Sequence, residues 1–288
     1  EMLQEAASEL PTLRDTLDRL EREPSYAFQL KISLPAEPER GPQHNLPVPD
    51  YDETGFFGRK EERRAVARAL SGAYPVISII GDGGIGKTAL AHRVAYDILD
   101  DPNDPFESIV WVSAKDTVLT GQEVRRISGA VETSLGLLAQ ANTQLAGEGS
   151  EDPLEELLDY LSAFRVLLIL DNLETVLDDR LREFLSQLPV GSKVLITSRI
   201  GLGALDNPMK LASLGALDSA NLIYKLARTR GVHALSSMDR ATIESYAQQM
   251  QGHPLYIKWF VAGVQAGRRP EDLLSNNKLL LDFCMSNV

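Results

Sequence analysis

Cysteine is nearly missing from this sequence: Cys284 is the only one in 288 residues. One thiol excludes an internal disulfide and any multi-cysteine metal centre, as expected of a chain from a reducing compartment, and Cys284 itself reads as a small buried apolar residue. Also lacking is any run of about 20 apolar residues, so no membrane span is expected, and the N-terminus carries no basic flank followed by an apolar stretch. These two absences point to the cytoplasm. Runs of basic residues are missing too, and the formal net charge is -12. That balance argues against non-specific attachment to nucleic acid or anionic lipid. The sequence opens with Glu1 ahead of Met2, so its natural start is expected to lie further upstream.

What is present is ordinary globular material. Hydrophobic residues make up 43% and charged residues 24%, and 288 residues suffice for a full α/β core with a smaller companion. Leu3, Ala6, Leu10, Leu13, Leu17 and Leu20 form a short heptad-like seam interrupted by Pro11, so residues 1–34 read as a helical segment left from an upstream domain. The proline-rich stretch PAEPERGPQHNLPVP marks residues 35–55 as a linker. Beyond it, the runs VISII (76–80), SIVWVS (108–113), VLLIL (166–170) and VLIT (194–197) alternate with helical patterns. Each run is apolar throughout rather than every second residue, which predicts strands covered on both faces and a doubly wound parallel α/β sheet over residues 56–214. The polar, glycine-containing stretch from Ala139 to Asp152 reads as a mobile loop. After Leu214 no strand signal appears, and residues 218–230, 239–251 and 254–266 read as three helices of a small all-α domain covering 215–275. Gly252 stops the second helix and Pro254 opens the third.

The chemistry concentrates between the first run and the helix after it. Gly81-Asp82-Gly83-Gly84-Ile85-Gly86-Lys87-Thr88 fits G-x-x-x-x-G-K-[ST] between a strand and a helix, the context such a loop requires. Gly81, Gly83, Gly84 and Gly86 let the backbone bend closely enough for the N–H groups around Ile85 and Ala89 to face phosphate oxygens at a helix N-terminus. Lys87 then places a point charge on the β- and γ-phosphates, and the Thr88 hydroxyl supplies one ligand to Mg²⁺. Asp171, directly after VLLIL, is the candidate second contributor to the Mg²⁺ shell. Glu174 is the nearest carboxylate for orienting an attacking water, with a helix-capping role equally open. Arg199, at the carboxyl end of another central strand, lies where open α/β sheets bind ligands and has the fork to grip a γ-phosphate.

These residues, in this order, resemble the signal-transducing ATPases with numerous domains, the STAND or NB-ARC proteins. The likeness runs from about Phe56 to Leu255. It rests on FFGRKEE, GDGGIGKT, SIVWVSAK, LLILDNLE and GSKVLITSR, followed by Gly252-His253-Pro254-Leu255, which is similar to the family's G-x-P motif. The resemblance implies that Phe57, Gly58 and Arg59 border the base and that Pro254 packs on adenine. It departs in two places. Asn172 stands where a second acidic residue is common, implying slow hydrolysis, and His253 stands where an apolar residue is more usual, with a structural role expected rather than a phosphate contact.

The resemblance further implies a switch in which exchange of ADP for ATP rotates domains and drives homo-oligomerisation in signalling or defence. It implies an effector domain upstream, a sensor domain downstream, and the start of a winged-helix domain within residues 276–288, where Leu279 to Phe283 read as its first helix. Two further readings remain open: the ATPase core of a multidomain transcriptional regulator, and a phosphotransferase built on the same loop. No helix-turn-helix is recognisable, so specific nucleic-acid binding by this chain is not expected. Adenine is preferred over guanine through the family alone, since no Asn/Thr-Lys-x-Asp element is present.

Overall fold

A computed structural model describes residues 22, 42–48, 55–114, 117–119, 124–126, 134–146, 152–173 and 178–275. Contacts divide the chain into Glu1–Arg40 and Gly41–Val288. The heptad seam of the first unit, and the helix expected at Leu279 to Phe283, fall outside the described residues.

The four apolar runs are strands: β2 (Val76–Ile80), β3 (Ser108–Ser113), β6 (Val166–Asp171) and β7 (Lys193–Ser198). With β1 (Gln43–His44) and β8 (Asn207–Lys210) they form a six-stranded sheet in the order β1-β3-β6-β7-β2-β8, and every pairing is parallel. A separate antiparallel pair, β4 (Thr117–Leu119) and β5 (Val124–Arg126), follows β3.

The central strands alternate between two cores. Val110, Val112, Leu168, Leu170, Val194 and Ile196 face one side. There they meet α3 (Ser134–Ala146), α4 (Pro153–Ala163) and α5 (Asp179–Ser186). Ile109, Trp111, Leu167, Ile169 and Leu195 face the other, against α1 (Lys60–Leu70) and α2 (Lys87–Leu99). Covering both faces is what makes the strand sequences continuously apolar, and each such side chain contributes roughly 1.5–3 kcal/mol through burial.

Two sequence expectations are overturned here. The linker expected across 35–55 is interrupted by the sheet itself. Gln43 and His44 pair with Ser108 and Ile109, Leu46 enters the core, and the Asn45 side chain both donates to the Trp111 carbonyl (2.9 Å) and accepts from its N–H (2.6 Å). The loop expected from Ala139 to Asp152 is helical as far as Ala146. Gln140, Thr143 and Gln144 are exposed, Leu137, Leu138 and Ala141 are buried, and the buried Asn142 donates to Glu156 of α4 (2.6 Å), so it is an amphipathic helix with a narrow buried stripe.

After β8 the chain is helical: α6 (Ala216–Thr229), α7 (His233–Ser236), α8 (Arg240–Gln249), α9 (Pro254–Gln265) and α10 (Pro270–Ser275). These helices share a core of their own, around Ile223, Leu226, Ile243, Tyr256, Ile257 and Phe260. Asp239 caps α8 through Thr242 N–H, and Pro254 occupies the first turn of α9, where its missing N–H costs nothing. The turn between α8 and α9 is anchored to the exit from the sheet. Leu214 N–H donates to Gly252 O at 3.0 Å, and Gly252 holds φ 65 with the Leu214 carbonyl filling the space a Cβ would need.

Candidate functional site

The loop from Gly81 to Gly86 leaves the carboxyl end of β2 and turns directly into α2. Gly86 is the N-cap at φ 103, no side chain caps the helix, and its first turn carries no acidic residue. The positive end of a 13-residue helix therefore faces the loop unneutralised. Lys87 is 8% exposed, and its ammonium donates to the carbonyls of Gly81 (2.9 Å) and Asp82 (3.0 Å), folding back across the loop.

Asp171 ends β6 opposite Ser113 of β3 and is 2% exposed. A carboxylate this buried requires donors, and three hydroxyls supply them. Thr88 (2.7 Å) and Thr197 (2.6 Å) reach Oδ1, and Ser113 (3.1 Å) reaches Oδ2. The strand order explains the meeting: β3, β6 and β7 are neighbours, so their carboxyl ends gather around one point in front of α2. Asn172 follows at φ 64, its N–H donating to Thr197 Oγ1.

Arg59 is 6% exposed, a bridging residue rather than a surface charge. Its guanidinium donates to the carbonyls of Ala212 (2.5 Å) and Ile85 (3.1 Å) and to Glu62 (3.1 Å), tying the start of α1 to the phosphate loop and to the chain leaving β8. On α2, His92 Nε2 lies 2.6 Å from the Pro47 carbonyl and its ring packs edge-on to Trp111 and Tyr96. Burial is the main cause holding His92 below its ordinary pKa, opposed by the Pro47 carbonyl and by the charge of Asp171.

A cavity of about 540 Å³ opens in front of these groups. Of the residues expected at the site, Phe57, Arg59, Gly83, Gly84, Ile85, Gly86, Lys87, Thr88, Ala89, Asp171 and Pro254 line it together. Gly58 and Gly81 do not line it, though the Gly81 carbonyl accepts from Lys87. Arg199 is half-buried after β7 and does not line the cavity; Ile200 N–H folds back to Ser198 Oγ, turning the chain there. Glu174 lies outside the described residues. Sequence reasoning missed Pro47, Val48, His92, Trp111 and Lys258, all of which line the cavity. Lys258 follows Pro254 by one helical turn, a spacing that would have placed it on the same face. Nothing in the sequence signals the approach of Pro47.

Residues 59–226, more than half of the chain, match the NB-ARC domain. The chain belongs to the NB-ARC family. It is thus a P-loop NTPase of the STAND type, and the family's general property is a signalling switch governed by bound nucleotide. This NB-ARC chain is 32% identical over 158 residues to the transcription activator GutR of Bacillus subtilis, covering 54% of the chain and 18% of GutR. Over 204 residues it is 32% identical to the disease resistance protein RPP13 of Arabidopsis thaliana, covering 68% of the chain and 24% of RPP13. The NB-ARC chain therefore spans less than a quarter of the length of these relatives. In fold it is similar to the Walker-type ATPase PABY2304 of Pyrococcus abyssi, at TM-score 0.55 and 13% identity, covering 81% of this chain and 75% of that one. No helix among the described residues is long and apolar enough to cross a membrane.

Proposed function

We propose that the chain binds ATP and ADP with Mg²⁺ in this cavity, and that exchange of one nucleotide for the other, with slow hydrolysis, shifts the helical region against the sheet and so controls homo-oligomerisation. The observation that carries the reading is that the cavity has walls from both regions: Gly83 to Ala89 on one side, Pro254, Leu255 and Lys258 of α9 on another. A ligand touching both walls has a different affinity when they separate, and only differential affinity moves a conformational equilibrium.

The residues fit such a ligand. A cavity of about 540 Å³ suits a nucleotide, and the open end of α2 with Lys87 suits its phosphates. Among the described residues no group of three or more His, Cys, Asp or Glu is placed to hold a metal. Mg²⁺ at a nucleotide is held by one or two protein oxygens together with the phosphates. Thr88 and Asp171, already 2.7 Å apart, would be those oxygens; the bound ion would neutralise charge between the phosphates. Lys87 would hold the terminal phosphates, and Phe57 and Pro254 would sandwich the base. Asn172 lines the cavity where a carboxylate would serve as base, which supports slow turnover, while Arg199 would approach the γ-phosphate only after rearrangement.

The test is to denature purified protein and identify the released nucleotide by ion-exchange chromatography, beside Lys87→Ala. Retained ADP in the parent and none in the variant supports a latched switch. An empty site with rapid turnover of a small acceptor would overturn it in favour of a phosphotransferase. The likeness to a transcription activator supports a second reading of the output, in which the same switch works within a regulator of transcription, with DNA contacts made outside these residues.

A further inference from the structure

His253 packs behind the phosphate loop. It is 4% exposed, and both ring nitrogens are engaged: Nδ1 lies 3.4 Å from the N–H of Tyr256, capping α9, and Nε2 lies 3.0 Å from the carbonyl oxygen of Gly83. A backbone N–H only donates, so Nδ1 accepts; a carbonyl only accepts, so Nε2 carries the proton. The ring is therefore neutral, in one tautomer, with neither nitrogen left to hold anything else.

The peptide joining Gly83 to Gly84 is planar and trans, so its C=O and N–H point in opposite directions. With the carbonyl held towards His253, the N–H of Gly84 is turned away from it. Gly83 and Gly84 line the cavity, and His253 does not. Gly84 also permits the close approach. It sits at φ 68, and a Cβ there would meet Leu255 Cδ2 at 2.6 Å and His253 Cε1 at 3.3 Å.

We propose that His253 is a positioning residue that fixes the Gly83–Gly84 peptide with its N–H presented to a bound phosphate, so that seating of the helical region and phosphate binding reinforce one another. The inference rests on the nucleotide reading above. By linkage the effect runs both ways: a phosphate on that N–H holds the peptide in the orientation His253 needs. Acid would loosen the α9 cap and not the Gly83 contact, since a protonated ring still donates from Nε2. Burial is the first cause lowering the His253 pKa from 6.5. The nearby charges of Arg59 and Lys87 act in the same direction, and the Gly83 carbonyl and Asp82 act against it. A protonated ring has no acceptor left for Tyr256.

The test uses His253→Asn in the full chain. Asparagine keeps an oxygen to cap α9 but is too short to reach Gly83. Mg²⁺-ADP is titrated by calorimetry at about pH 7.5, above the ordinary histidine value, and amide exchange over residues 254–257 is followed with and without ADP. The variant is expected to bind about tenfold more weakly, the usual scale of one lost buried hydrogen bond. ADP should slow exchange in α9 of the parent alone. Equal affinities of parent and variant, or no ADP-dependent protection of α9 in the parent, would overturn the proposal while leaving nucleotide binding intact. Failure of the parent to bind ADP any better than Lys87→Ala would remove the nucleotide reading and this inference with it.

Discussion

Replacing Asp171 by asparagine separates the charge of this residue from its shape. The carboxylate is 2% exposed and accepts from Thr88, Thr197 and Ser113. Asparagine fills the same volume. Its oxygen keeps the Thr88 and Thr197 bonds, while its amide donates to Ser113 Oγ, whose hydroxyl rotates to accept. Hydrogen bonds to a charged group contribute about 1.5–3 kcal/mol and neutral ones about 0.5–1.5, so three bonds lose roughly 3–5 kcal/mol of charge assistance. Against this, the variant avoids burying a charge, which costs several kcal/mol. The two offset to within about 2 kcal/mol, a melting shift below about 8 °C for a chain of this size. Mg²⁺ has no such compensation. Removing one charged ligand, on a scale of about 1.5–3 kcal/mol, should cut the affinity gained on adding Mg²⁺ by roughly 10- to 150-fold. ATP is titrated by calorimetry in chelator and in excess Mg²⁺, with both proteins. The expected result is similar affinity in chelator and a large deficit in Mg²⁺. A variant that keeps the full Mg²⁺ increment would refute the assignment, and one that melts more than about 15 °C lower would make Asp171 a structural residue.

Other expectations follow from the same geometry. Gly252→Ala places a methyl group against the Leu214 carbonyl and 2.8 Å from Ser219 Oγ at φ 65; left-handed strain and overpacking together should lower the melting temperature by roughly 5–15 °C in calorimetry. Both His92 and His253 are held below 6.5, chiefly by burial. The unfolded chain therefore takes up protons first as pH falls through 6.5, so stability should be complete above that value and decline below it, and a flat melting profile between about pH 7.5 and about pH 5.5 would contradict this. Asn45→Ala leaves the N–H and C=O of Trp111 without the side chain that satisfies both. It should cost roughly 2–3 kcal/mol and speed proteolysis across residues 42–48 while the rest of the sheet stays protected.

The central architecture was readable because its signal is local. VISII, SIVWVS, VLLIL and VLIT are apolar at every position since both faces are covered, and a glycine-rich loop between strand and helix has few other uses. The edges were not readable. Asn207-Pro208-Met209-Lys210 alternates between half-buried and exposed positions, and Gln43-His44 contributes two exposed residues to the sheet; neither carries an apolar run. The helix of Ser134–Ala146 was misread over its second half because one buried stripe suffices against α4 and the sheet, leaving its other face free to be polar. The missing parts of the site have the same origin. Pro47 meets His92 across 45 positions, and His253 meets Gly83 across 170. Such pairings are decided by strand order and by the packing of α9, and leave no periodicity behind.

The two ends of the sheet also bear on solubility. An outermost strand offers unpaired N–H and C=O groups to any extended chain that passes. At one end stands β1, only two residues long. At the other, β8 carries Pro208, which has no N–H to offer, and the charged Lys210. Both borders are thus poor templates for strand addition. The switch proposed above, in which a bound nucleotide would govern self-association, needs this reticence, since adhesion along the sheet would answer to no ligand at all.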